Sequence, residues 1–197
     1  MPKTPNHARM EVINNADKYL LYNDCFMGLM DSTIAGSENE QYAACARKLS
    51  LLKKDSQWGY LFATQQALCE VLSIKAELGV KTHRVYLGGN KEELKELVEE
   101  YKLLGKKLKN FHKIYKQQWF RENKPHGFDV QDIRLGGLMT RVKSCEERLQ
   151  ALYNGKISRI EELEEKQLDI YGNGEEFLPI QVEIKNKWAL MVTANII

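Results

Sequence analysis

The sequence lacks the features that mark membrane proteins and nucleic-acid-binding proteins. Its apolar runs are too short to cross a bilayer, and its first residues hold no apolar stretch of the kind found in a secretory signal. Neither sign of charge dominates, since 29 basic and 27 acidic side chains leave a net charge of +2. A field of one sign that could hold a phosphate backbone is therefore missing. We expect a cytoplasmic protein, or a fragment of a larger one, with no membrane partner and no nucleic-acid partner.

Motifs for metals, cofactors and catalysis are missing as well. The four cysteines stand singly, with no histidine at ligand spacing, so buried free thiols are expected rather than a metal site. The glycines match neither the phosphate-binding loop that ends in Lys-Ser or Lys-Thr nor the Gly-x-Gly-x-x-Gly fingerprint of dinucleotide sites. Nothing in the chain forms a complete catalytic set. The sequence thus predicts no metal, no cofactor and no catalytic residue.

What is present is a long helical pattern. Apolar residues spaced three and four apart predict amphipathic helices over residues 37–55, 57–79 and from 90 onward, and again after residue 128. A shorter acidic helix is expected within 154–171. The pairs Ser37 with Glu40 and Asn90 with Glu93 have the spacing of capping boxes, and Gly79 is placed to end a helix.

Two stretches favour strands instead. The apolar run that opens KYLLYNDCFMGLMD, residues 18–31, is typical of a short strand buried on both faces, and alternation near the C-terminus predicts a hairpin. The fold class is therefore mainly α: an antiparallel helical bundle with a short N-terminal strand segment and a C-terminal β-hairpin. The predicted units are a linker and strand segment over 1–36, the helical bundle over 37–172, and the hairpin packed on the bundle over 173–197.

The stretch WFRENKPHGFDVQDIRLGGLMTR, residues 119–141, interrupts the helical pattern and predicts a corner between two helices. A proline and a glycine stop one helix, an aspartate caps the next, and an arginine makes charge-assisted hydrogen bonds inside the corner or across an interface. Two glycines inside the second helix imply close approach of a backbone or a ring, because glycine there otherwise costs stability. The residues in these roles are Trp119, Pro125, Gly127, Asp129, Asp132, Arg134, Gly136 and Gly137.

Three stretches together, KYLLYNDCFMGLMD, ENKPHGFDVQDIRLGGL and NGKISRIEELEE, resemble the C-terminal part of bacterial exo-β-N-acetylglucosaminidases of glycoside hydrolase family 20. The resemblance covers nearly everything from about Lys18 onward. It implies a (β/α)8 barrel elsewhere in the parent enzyme, which hydrolyses terminal N-acetylhexosamines with retention, using the substrate's 2-acetamido group as nucleophile. The catalytic pair of that family is an adjacent Asp-Glu, and this sequence contains no Asp-Glu dipeptide. The chain is therefore expected to be non-catalytic, to pack against the barrel and to help form a homodimer.

The resemblance also implies one piece of a sugar site. The family carries a Tyr-x-Asp motif at the end of a late barrel strand, where the tyrosine hydroxyl bonds the acetamido oxygen and the aspartate bonds sugar hydroxyls. Tyr22 and Asp24 match this motif. They are the predicted substrate-binding residues of the intact enzyme, and the preceding apolar run would then be a strand separated from its sheet.

A second hypothesis has no link to glycosidases. The chain would then be an independent helical scaffold or adaptor domain, and the basic end of its long helix would bind an acidic protein partner. The lysines of that end are Lys106, Lys107, Lys109, Lys113 and Lys116.

Overall fold

The computed structural model describes residues 16–55 and 57–167, and within these ranges the regular structure is helical with no strand. The predicted helical bundle is confirmed. None of the described helices is long and apolar enough to cross a membrane. Six α-helices are present in the described part, together with a 3-10 turn at Asp31–Thr33: α1 Ala16–Tyr22, α2 Glu38–Leu52, α3 Gly59–Gly88, α4 Lys91–Glu122, α5 Phe128–Tyr153 and α6 Glu161–Glu164.

Three long helices, α3, α4 and α5, form the body of the bundle, and α2 packs on α3. The apolar residues spaced three and four apart along α4 form a seam at the centre of the bundle, where Leu97, Tyr101 and Leu104 are fully buried. One half of the capping box predicted for α4 is present, since the side chain of Asn90 accepts hydrogen bonds from the amides of Glu92 and Glu93 at 2.9 and 3.3 Å. The reciprocal bond from the Asn90 amide to the Glu93 side chain is not among the described hydrogen bonds. Local capping and the seam together determine this helix.

The predicted N-terminal strand is wrong. Its apolar residues lie in helix α1, which packs on α3 and buries Leu20 and Leu21 in the common core. A short apolar run that is buried on several sides has the same pattern in a strand and in a helix, so periodicity alone does not separate them. The run is not short of partners, because helices of the same chain cover it.

Other predicted boundaries differ from those observed. Helix α3 continues through Gly79 to Gly88, and the left-handed residue Gly89, with φ 64°, ends it instead. The Ser37 side chain makes no hydrogen bond to a helix amide. The carboxylate of Glu38 instead accepts from the amides of residues 35–37. The predicted hairpin at 173–197 and the end of the predicted acidic helix lie outside the described residues, so those assignments stay predictions.

The predicted corner between helices is present, between α4 and α5. Trp119 closes it by donating from Nε1 to the carbonyl oxygen of Lys124 at 3.0 Å, and its ring meets Phe128 with centroids 5.7 Å apart. Pro125 accepts a hydrogen bond at its carbonyl oxygen from the amide of Phe128. Gly127 has φ 96°, a left-handed conformation that favours glycine, and it is the residue that precedes α5.

The two aspartates of the corner do not have the predicted role. Gly127, not an aspartate, occupies the N-cap position of α5, because the chain turns there in a left-handed conformation. The Asp129 carboxylate accepts from the Gly127 amide at 3.0 Å, and the Asp132 carboxylate pairs with His112 Nε2 of α4 at 2.6 Å. Arg134 forms no ion pair with either of them among the described contacts, and Asp132 is paired with His112 instead.

Gly136 and Gly137 lie inside α5 as predicted, but the proposed reason is wrong for Gly136. A Cβ at Gly136 would meet no heavy atom within 4 Å, so neither a backbone nor a ring approaches it. Gly137 lies one helical turn from Arg134 and one turn from Arg141, on the side of α5 that carries both arginines.

Alanine at Gly136 and alanine at Gly79 should change stability in opposite directions. Gly136→Ala should raise the free energy of unfolding by about 0.5 to 1 kcal/mol, because it improves helix propensity without a clash. Gly79→Ala should lower it by about 1 to 3 kcal/mol through overpacking, since its Cβ would lie 2.7 Å from Asp31 Oδ1. Urea unfolding checks both. A rise for Gly79→Ala would contradict the observed contact, and Gly105→Ala, also free of neighbours, repeats the first measurement.

Candidate functional site

The two sequence-predicted sugar ligands lie at the end of α1 and in the loop that follows it. Tyr22 is the last residue of α1, and Asp24 lies two residues beyond it. The Asp24 Oδ1 atom accepts from the amides of Phe26 and Met27 at 2.8 and 3.0 Å, so the side chain caps its own turn. We call residues 23–31 the motif loop.

Helix α5 binds the motif loop through Arg141. Arg141 Nε donates to Asp24 Oδ2 at 2.7 Å, and Nη2 donates to Asp24 Oδ1 at 3.1 Å, which is the two-pronged geometry favoured by guanidinium and carboxylate. The same Nη2 donates to Glu162 Oε1 of α6 at 2.9 Å. The side chains of Asp24 and Arg141 retain 26% and 33% of their exposure, so the pair is partly shielded and still reachable from solvent.

These contacts keep the Asp24 carboxylate ionised. Burial by itself raises the pKa of Asp24, but the hydrogen bonds and charge of Arg141, together with the amides of Phe26 and Met27, outweigh it. The pKa of Asp24 therefore lies below its ordinary value. A charged oxygen at this position is a strong hydrogen-bond acceptor.

Two side chains of helix α3 donate hydrogen bonds to the backbone of the motif loop. The ammonium group of Lys75, which is 2% exposed, donates to the carbonyl oxygen of Asn23. His83 Nε2 donates to the carbonyl oxygen of Phe26 at 2.8 Å. Both donors satisfy backbone carbonyls that the core would otherwise leave unpaired, so they fix the path of the loop and not only its side chains.

Asp31 closes the far end of the motif loop. Its carboxylate accepts from Asn23 Nδ2 at 2.8 Å and from Gln167 Nε2 at 2.6 Å. Burial raises the pKa of Asp31, although these hydrogen bonds and the charge of Lys75 act in the opposite direction. Gly28 and Gly79 leave the space that this carboxylate fills, since a Cβ on either residue would lie within 3 Å of its oxygens.

Tyr22 faces the corner end of the bundle. Burial raises the pKa of Tyr22 to about 12, while the charge of Arg134 lowers it and Tyr115 raises it further. The phenol is protonated near neutral pH, as an ordinary tyrosine is, and can donate a hydrogen bond. Burial lowers the pKa of Lys18, and the charge of Arg134 lowers it further. The buried Nε of Arg134 has no hydrogen-bond partner among residues 16–55 and 57–167. The structure thus brings Arg134 of the predicted corner beside Tyr22 of the predicted sugar motif.

Comparison with known families assigns the chain. Residues 1–180 match the family described as the Glycoside Hydrolase 20C C-terminal domain. The chain belongs to this family. No curated protein matches it. The matched range includes α1, the motif loop, the corner and α6, which agrees with the three stretches that carried the resemblance in the sequence.

Several residues that shape the site of this glycoside hydrolase C-terminal domain were missed in the sequence. Arg141, Lys75 and His83 contact the motif loop from 117, 52 and 57 positions away. No local motif connects residues so distant. One usable signal was the spacing of Arg134, Gly137 and Arg141, which places two arginines and a glycine on one side of a helix.

Metal binding has no support in the described part of this domain. No group of three or more His, Cys, Asp or Glu side chains there has the arrangement of a metal site. The four cysteines are free thiols, as predicted, and Cys25, Cys69 and Cys145 are buried. Burial raises the pKa of Cys25 and of Cys145, so both are poor nucleophiles.

Proposed function

We propose that this chain is the non-catalytic C-terminal domain of a β-N-acetylhexosaminidase that removes terminal N-acetylhexosamine residues. The observation that carries the proposal is the family match over residues 1–180. The missing Asp-Glu dipeptide supports it, because the resembling enzymes take their acid and their acetamido-orienting carboxylate from such a pair in the barrel. The barrel of the same polypeptide is the first partner, and its reaction would be substrate-assisted and retaining.

Within that enzyme, the domain would supply Tyr22 and Asp24 to the N-acetylhexosamine site. The Tyr22 hydroxyl would donate to the acetamido oxygen, which orients the acetamido group for attack on the anomeric carbon. Asp24 would accept hydrogen bonds from sugar hydroxyls. These roles rest on the match of Tyr22 and Asp24 to the Tyr-x-Asp motif of the resembling enzymes, and the partly exposed side chain of Asp24 is compatible with them.

Two further properties belong to the same proposal. The exposed apolar side chains Val130 and Ile133 precede Arg134 on α5 and would pack against the barrel, because exposed apolar groups favour such a contact. We also propose that the enzyme is a homodimer, as the resemblance implies, and that it is cytoplasmic.

Tyr22→Phe in the full-length enzyme should lower kcat/KM on nitrophenyl N-acetylglucosaminide by about 100-fold, the usual effect of losing one hydrogen bond to a group that gains charge in the transition state. Tyr60→Phe is the matched control, because the Tyr60 hydroxyl bonds Glu122 on the exposed surface and should leave activity unchanged. The isolated 197-residue chain should release no nitrophenol. Full activity of Tyr22→Phe, or turnover by the isolated chain, would contradict the proposal.

A further inference from the structure

We infer that Arg141 is a positioning residue for sugar recognition: its guanidinium aims the Asp24 carboxylate so that one oxygen stays directed toward a sugar hydroxyl. This inference rests on the proposed function, since it takes Asp24 as a sugar ligand. It adds a task for the helical domain beyond supporting the barrel. The domain would set the direction of a substrate-binding group.

The hydrogen bonds of Asp24 are distributed unequally between its two oxygens. Oδ1 accepts three, from the amides of Phe26 and Met27 and from Arg141 Nη2. Oδ2 accepts one among the described contacts, from Arg141 Nε. An ionised carboxylate offers about four acceptor positions, two on each oxygen. Oδ1 is therefore saturated, and Oδ2 keeps one position for a hydroxyl donor.

Access to that position is open. The Asp24 side chain keeps 26% of its exposure, although the neighbouring Phe26 is fully buried. The amides of Phe26 and Met27 oppose rotation of the carboxylate about the Cβ–Cγ bond, because that rotation would move Oδ1 away from them. The bond from Arg141 Nε to Oδ2 restrains the same rotation from the other oxygen, so that the plane of the carboxylate is held on both sides.

Arg141 is itself held in place. Glu162 of α6 accepts from its Nη2, and the guanidinium lies over the ring of Phe26, 5.4 Å from the centroid. Helix α6 is anchored in turn, because Tyr86 of α3 accepts at its hydroxyl from the amide of Ile160 at 3.1 Å and donates to Glu164 at 2.7 Å. Three helices therefore fix the direction of one carboxylate.

A lysine would not reproduce this arrangement. The planar guanidinium presents two parallel donors to the two carboxylate oxygens, whereas an ammonium group binds as a point charge and restrains Oδ2 less. Arg141→Lys keeps the charge next to Asp24 and removes the directional constraint. Arg141→Lys therefore tests the directional constraint alone, whereas Arg141→Met removes both the charge and the constraint.

Arg148 provides the matched control. It also lies on α5 and also pairs with α6, through Glu161, but it has no contact with Asp24 among the described hydrogen bonds. Arg148→Met removes a link between the same two helices and leaves the motif loop untouched. A change shared by both variants reports the α5–α6 contact, and a change confined to Arg141 reports Asp24.

The experiment measures kcat and KM of the full-length enzyme for nitrophenyl N-acetylglucosaminide and its 3-, 4- and 6-deoxy analogues. In the unchanged enzyme, the analogue that lacks the hydroxyl bound by Asp24 should be the poorest substrate. Arg141→Lys and Arg141→Met should lower kcat/KM for the parent substrate by about 10 to 100-fold and for that analogue much less, so the discrimination is lost. Arg148→Met should keep both values.

Each other outcome overturns the inference. If Arg141→Lys lowers kcat/KM equally for all substrates, Arg141 does not direct Asp24 toward one hydroxyl. Circular dichroism and the melting temperature then show whether the loss comes from impaired folding. If Arg141→Lys and Arg148→Met behave alike, the contact between helices is what matters. If Tyr22→Phe and Asp24→Asn are fully active, the proposed function itself is wrong. If these two variants lose activity but Arg141→Lys keeps the discrimination between substrates, only the inference about Arg141 is wrong.

Discussion

Gly28→Ala is expected to lower the free energy of unfolding by about 3 kcal/mol, combining a left-handed backbone cost of about 1 to 2 kcal/mol with overpacking of similar size. Gly28 has φ 61°, and a Cβ there would lie 2.0 Å from Gln167 Nε2 and 2.6 Å from Asp31 Oδ2. Because Gln167 and Asp31 are bonded to each other, neither moves without breaking that hydrogen bond. Urea unfolding of the chain measures the loss.

Gly36→Ala separates the two causes. Gly36 has φ 87°, also left-handed, but a Cβ there would meet nothing within 4 Å. It should therefore show the backbone cost alone, about 1 to 2 kcal/mol. In the double variant Gly28→Ala with Gln167→Ala, the overpacking part of the loss should shrink, which a double-mutant cycle detects. Equal losses for Gly28→Ala and Gly36→Ala would show that the motif loop is not closely packed at Gly28.

The glycines show where sequence reasoning succeeds and where it stops. Gly127 was expected in a turn, and the corner is there, because a proline and a glycine after a long helix are local signals. Gly79 was expected to end a helix, yet the helix continues, because Gly79 serves the approach of Asp31 from another part of the chain. Only tertiary contacts distinguish a glycine that ends a helix from one that makes room beside it.

The same limit applies to the candidate site. The sequence singled out Tyr22 and Asp24 through a resemblance, and the structure surrounds them with residues from α3, α5 and α6 that no local pattern announces. The long helix α4, in contrast, was predictable from its seam and its Asn90 cap. Regular periodic elements are encoded locally, whereas the polar contacts of the motif loop depend on how the helices pack.

The contacts of the motif loop show that α1 and the loop belong to the helical bundle and not to a barrel sheet. Lys75 and His83 of α3 donate to carbonyl groups of the loop, and Arg141 and Gln167 donate to its carboxylates. A segment bonded in this way belongs structurally to the helical body. If Tyr22 and Asp24 serve the sugar site, the helical body and the site are one structural unit, and a substitution in the bundle would reach the substrate.

Asp24→Asn is expected to cost about 2 kcal/mol of the free energy of unfolding near neutral pH, the usual range for a partly shielded, charge-assisted pair that loses its charge. The asparagine oxygen can still accept from the Phe26 and Met27 amides, but its amide group would face the donors of Arg141. The loss therefore reports the Arg141 contact, with the turn preserved.

The pH dependence of this cost tests its cause. The pKa of Asp24 is lower in the folded chain than its ordinary value near 3.8, so its stabilising effect is fully present above that value and is lost as the pH falls through the folded pKa. Asp31, whose pKa is raised, has the opposite dependence, but it is present in both proteins and cancels in the difference. The gap in unfolding free energy between the unchanged chain and Asp24→Asn should therefore be largest near neutral pH and shrink in acid. A gap that stays constant across this range would mean that the Asp24 charge contributes nothing, and that the two-pronged contact with Arg141 owes its strength to shape alone.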